Sequence, residues 1–96
     1  MSLKERVYSV LVISAAEGFN DALTALLPEA RYSPVQFATN VGAARRALAE
    51  RAFDIVIINS PLPDETGIRF AIDASNSKET VVLLMIRAEL QEEVFD

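Results

Sequence analysis

Apolar residues fall into four short runs separated by amphipathic stretches. The first run spans residues 8–14, with Val10, Leu11, Val12 and Ile13 in unbroken succession. The second, residues 35–38 (VQFA), alternates and includes Gln36. The third is residues 55–59 (IVIIN) and the fourth residues 80–86 (TVVLLMI). Continuous apolar runs of this length predict strands covered on both faces, as in parallel sheets. The shorter, alternating second run belongs at an edge.

Between the runs the period changes from two to that of a helix. Phe19, Ala22, Leu23, Leu26 and Leu27 follow i, i+3, i+4, i+7, i+8 and make one apolar stripe, which Pro28 stops. Asn40 is a suitable N-cap for a second helix, where Val41, Ala44, Ala47, Leu48 and Ala52 share a face. A third helix is expected to start near Thr66 or Gly67, to turn Ile68, Ala71 and Ile72 inward, and to end at SNSK. After the fourth run, RAELQEEVFD can begin another helix, with Glu89 in a first turn that the macrodipole favours. Strand and helix alternating in this way predict an α/β fold, a doubly wound parallel sheet with helices on both faces. The chain reads as one domain, residues 1–96, with Met1, Ser2 and Leu3 a leader of no structural weight.

Composition narrows the chemistry. The 51% apolar content suits a globular domain, and at this size roughly 60–65% of the unfolded surface is buried on folding. No apolar run approaches the roughly 20 residues that span a bilayer, and no secretory signal opens the chain, so a cytoplasmic location without membrane contact is expected. There is no Cys and no His. Thiolate sites, disulfides and imidazole bases are therefore excluded. With a net charge of -5 and no cationic stripe, direct nucleic-acid binding by this segment is not expected. Arg45 and Arg46 read as the solvated face of a helix.

Ligand sites in open α/β sheets lie beyond the carboxyl ends of the strands. Three segments converge there: ISAAE after the first strand, NSPLPDETG after the third and MIRAE after the fourth. The stretch from Asp54 to Gly67 resembles the phosphoacceptor segment of bacterial response-regulator receiver domains. That family places an Asp, four apolar residues, the acceptor Asp, a Pro four residues on and a Gly eight residues on. Here those positions hold Asp54, Ile55, Val56, Ile57, Ile58, Asn59, Pro63 and Gly67. The resemblance implies a flavodoxin-like three-layer sandwich with strand order 2-1-3-4, in which Pro63 and Gly67 shape the loop. It stops before the family's fifth strand and last helix.

The functional positions depart from the family. Ser14 and Ala15 stand where the resemblance implies an acidic Mg²⁺-binding pair, Asn59 where it implies the phosphoacceptor, and Met85 where it implies a Ser or Thr hydroxyl. An amide does not act as the carboxylate nucleophile of aspartyl phosphorylation. Mg²⁺ favours octahedral oxygen ligands with carboxylates among them, so Mg²⁺ binding is expected to be lost and no cofactor is expected. Asn59 instead keeps the hydrogen-bonding shape of the strand end without an unpaired charge. The resemblance thus implies a pseudo-receiver of two-component signalling. It would be no enzyme and would act through a protein partner or dimerisation, with an attached transcription or antitermination output.

Other readings stand beside this one. Asn59 also reads as a plain strand-end cap, or as an Asn-Ser pair that deamidates to Asp. Asp64 and Glu65 read as solvated acids near a helix N-terminus, against a metal or partner contact. Arg87 reads as an exposed side chain, against a cation reaching over the pocket. Glu89, Glu92, Glu93 and Asp96 read as a solvated face, and Val94 and Phe95 as packed inward or docked on a partner. A small nucleotide- or ligand-binding domain or enzyme is the alternative function, which SAAEGFND disfavours because it lacks G-x-G-x-x-G. The fourth strand has no further strand to cover it. A longer native chain, a second copy paired along residues 80–86, or a tolerated edge would each account for that.

Overall fold

The structure is a computed structural model and describes residues 6–60, 62–64, 67–76 and 79–85. Its elements are β1 (Tyr8–Ile13), α1 (Glu17–Leu26), β2 (Tyr32–Ala38), α2 (Val41–Glu50), β3 (Ile55–Asn59), α3 (Ile68–Ser75) and β4 (Val81–Met85). The four strands form one parallel sheet in the order β2-β1-β3-β4. This is the receiver-like, doubly wound arrangement, with β2 at one edge. β2 is longer than the alternating run alone predicts. It takes one residue more than β1 between the pairs Tyr8–Tyr32 and Val10–Val35, an irregularity that accommodates Pro34 on an edge strand.

Alternation along the inner strands sends side chains to two cores. Leu11, Ile13, Val56 and Ile58 face α2 and α3, where Val41, Ala44, Ala47, Phe53, Leu62, Phe70 and Ala71 close over them. Val10, Val12 and Ile57 face α1, whose Phe19, Leu23 and Leu27 lie against them half-buried. The α1 stripe is narrower than its period predicts. Leu26 is 72% exposed and Ala22 is exposed, because only one wall of that helix meets the sheet. Leu27 leaves the helical region just before Pro28, as the residue preceding a proline must.

Asn40 caps α2 as expected, its Oδ1 accepting the Ala43 N–H at 2.8 Å. Helix α2 ends at Glu50, so Ala52 lies beyond it and is exposed, not on the buried face. In α3 the expected inward set is corrected. Phe70 and Ala71 are buried, Ile68 is half-buried and Ile72 is 55% exposed. Ile72 lines a trough of about 400 Å³ between α3 and β4, with Ile68, Ala71, Val82 and Leu84. The fourth strand is corrected too. Val82 and Leu84 pack on the α2–α3 core, but Val81, Leu83 and Met85 are about half exposed on the other face. Among the described residues its apolar run therefore belongs to an outer strand with one open face. The helix expected from residue 87 onward lies outside the described residues, as do Ile86, Val94 and Phe95. Among the described residues, no helix is long and apolar enough to cross a membrane.

Candidate functional site

The carboxyl ends of β1, β3 and β4 bring Ser14, Asn59 and Met85 together. Ser14 follows β1 and is fully buried. Its N–H donates to the Ala38 carbonyl at 2.9 Å, which fixes the strand end against β2. Its Oγ accepts the Ala16 N–H at 3.2 Å and the Asn59 Nδ2–H at 3.3 Å. With two donors pointing at this oxygen, its own O–H remains to donate. Asn59 closes β3, half-buried, and its register partner across the ladder is Met85. The next residue, Ser60, is buried and its N–H donates to the Met85 carbonyl at 2.8 Å. That bond disfavours deamidation, since the Ser60 nitrogen that would attack the Asn59 side chain is already engaged. Ala15 is exposed and Met85 is about half exposed. Arg87 and Glu65 lie outside the described residues.

Asn20, one turn into α1, joins the site unannounced by the apolar pattern. Its Nδ2 donates to the Ser14 carbonyl at 3.3 Å, and its buried Oδ1 has no hydrogen-bond partner among the described residues. The only cue in the sequence is a single amide beside Phe19 on the helix that follows the strand end. The side chains gathered here are thus a hydroxyl, two amides and a thioether, all neutral. Glu17 sits in the first turn of α1 but is exposed. Among the described residues no three acidic side chains are grouped closely enough to hold a metal ion. The arrangement can exchange neutral hydrogen bonds. Among the described residues it holds no carboxylate to attack phosphorus or to offset a divalent charge.

The loop-shaping residues act by geometry. Gly67 is buried at the start of α3 with φ +88°, and a Cβ there would stand 3.0 Å from Ile58 Cγ2 and 3.3 Å from Leu62 Cδ1. Both the positive φ and the close approach require glycine. Pro63 is exposed in the same loop. Asp54, the acid at the start of β3, lies at the opposite end of the sheet. Its Oδ2 accepts the Ser9 N–H at 2.9 Å and the Ser9 O–H at 3.2 Å, binding β3 to the start of β1. Asp64 is exposed in the same loop as Pro63 and sits at a helix N-terminus as expected, that of α2: its Oδ1 accepts the Val41 N–H at 2.9 Å and its Oδ2 the Gly42 N–H at 3.0 Å. Arg45 and Arg46 are exposed as expected, though Arg45 also reaches Asp73 of α3 at 3.3 Å and stacks over Phe70.

No family model matches the chain, and no curated protein matches it. Among solved structures it is similar to an aspartate-to-alanine mutant of the response regulator MaeR bound to sulfate. The two share 20% identity with a TM-score of 0.76, over 92% of this chain and 77% of that one. At that identity the likeness establishes the fold. The chain has the architecture of a response-regulator receiver, built around a strand-end site of neutral side chains.

Proposed function

We propose that this chain is a receiver-like signalling module that works without phosphorylation, a pseudo-receiver acting through protein contacts. The observation that carries this reading is the state of the acceptor position: Asn59 presents an amide whose Nδ2–H is bonded to the Ser14 hydroxyl oxygen. Phosphoryl transfer to a side chain needs a nucleophile and a cation to stabilise charge on the transferring oxygens. Asn59 and Ala15 supply neither, and the Ser14 hydroxyl is fully buried. Loss of Mg²⁺ binding follows from the same donor set, because hard divalent cations are held by carboxylates.

Signalling then rests on a conformational or binding equilibrium set by a partner. The exposed Val81, Leu83 and Met85 side chains of β4 support a protein contact or self-association there, since an apolar outer strand is a ready pairing surface. Control of a linked transcription or antitermination output belongs to the same proposal and is supported by the receiver-like fold alone. The test is incubation with Mg²⁺ and a small phosphodonor such as acetyl phosphate, followed by intact mass. The unmodified mass is expected. A stoichiometric adduct that is stable in acid and labile in base overturns the proposal.

A further inference from the structure

The first turn of a helix leaves backbone N–H groups without intrahelical partners. In α2 these donors are met from two directions. Asn40 takes the Ala43 N–H locally. The Val41 and Gly42 N–H groups are met by one carboxylate, that of Asp64, reaching across from the loop between β3 and α3. Such bonds are charge-assisted, and the helix dipole adds to them. A Cβ at Gly42 would lie 3.8 Å from Asp64 Oδ2, an ordinary contact, so the carboxylate's approach does not depend on glycine there. The same loop begins at Asn59 and Ser60, whose N–H is bonded to Met85, and ends at Gly67, whose carbonyl accepts the Ala71 N–H at 2.8 Å.

We propose that Asp64 is a strap that makes the β3–α3 loop and the first turn of α2 one mechanical unit, so that loosening either loosens the other. A bidentate carboxylate is suited to this. With one carboxylate oxygen on each N–H, a shift of the loop or of the turn stretches both bonds together. The strand-end site is thereby connected to the exposed face of α2, which carries Arg45 and Arg46. This coupling does not depend on whether the site accepts phosphate.

Reciprocity distinguishes a strap from a simple cap. Amide exchange is followed by NMR on the full chain for four proteins: the parent, Asn40→Ala, Asp64→Ala and the double variant. Asp64→Ala is expected to speed exchange at Val41 and Gly42 by about tenfold to a hundredfold, as loss of a charge-assisted bond implies, and to speed Ser60 and Ala71 with them. Asn40→Ala touches α2 alone. It is expected to speed exchange at Ser60 and Ala71 in the parent and to have no such effect once Asp64 is alanine. Should the alanine variant not fold, Asp64→Asn, which keeps the shape and one acceptor, is read in its place. An effect of Asn40→Ala on Ser60 and Ala71 that is the same with and without Asp64, or none in the parent, overturns the proposal.

Discussion

Replacing Asn59 with Asp places a carboxylate where the parent has an amide, and the structure sets what that costs. The position is half-buried, and the nearest polar groups are Ser14 and Asn20, with no cation among the described side chains gathered there. The Ser14 hydroxyl can turn to donate one hydrogen bond to the new carboxylate. That does not replace the water lost on burial, so the charged form is destabilised by about 1–3 kcal/mol. A domain of this size has total stability of about 5–14 kcal/mol, so the loss is measurable. The sign with pH is fixed by desolvation, which raises the folded carboxyl pKa above its unfolded value of about 4. At pH below the unfolded value the new carboxyl is neutral in both states, and it is isosteric with the amide. The penalty is then absent. It grows as pH rises through the interval between the unfolded and folded values and is complete above the latter. Urea unfolding of parent and Asn59→Asp at pH 7 and at a pH about one unit below the unfolded value gives the four midpoints required. The variant is expected to be weaker at pH 7 and level with the parent at low pH. Equal stability at pH 7 would mean that the site already offsets a negative charge, which would refute the account of why an amide stands there.

Three further substitutions test the residues that shape the fold around the site. Gly67→Ala combines a left-handed backbone penalty of about 1–2 kcal/mol with contacts at 3.0 and 3.3 Å, so a total loss of about 2–4 kcal/mol is expected. In a thermal melt that is a fall of roughly 10–25 °C, whereas Gly18→Ala, with no atom within 4 Å of its added Cβ, should hold or slightly raise the midpoint. Equal midpoints for the two variants would contradict this assignment. Asp54→Ala leaves the Ser9 N–H and O–H without their acceptor and should cost about 1–3 kcal/mol in urea unfolding. A change under about 0.5 kcal/mol would show that water replaces the carboxylate without loss.

The parts of this fold legible in the sequence are those with a short physical period. Residues 55–59 read as a buried strand and form one, and Asn40 reads as an N-cap and caps Ala43. The convergence of residues 14, 59 and 85 follows from strand order, which the resemblance to receiver domains implied. What escaped the reading depends on partners far along the chain. Ile72 has the period of a buried position, yet nothing among the described residues covers it, so it stays exposed. The β4 run is apolar throughout, but apolarity does not reveal that one face of an outer strand is open. Asp64 sits next to α3 in sequence and serves α2 in space, because the first turn of α2 and the loop after β3 both lie at the carboxyl end of the parallel sheet. Asn20 is a single amide with no pattern around it, and only its contact with Ser14 marks it.

Those differences separate two kinds of residue that a motif presents as one. Gly67 is required by its positive φ and by the methyl groups of Ile58 and Leu62. Asp54 is held by Ser9 at the far end of the sheet, and Asp64 by the first turn of α2. None of these contacts involves the side chains of Ser14 or Asn59. The loop would therefore keep its shape whether the strand end carried a carboxylate or an amide. Spacing around Asn59 is accordingly strong evidence for the fold and says nothing about phosphoryl transfer. On that question the strand-end side chains bear, and among the described residues the bond from Asn59 to Ser14 joins two neutral groups.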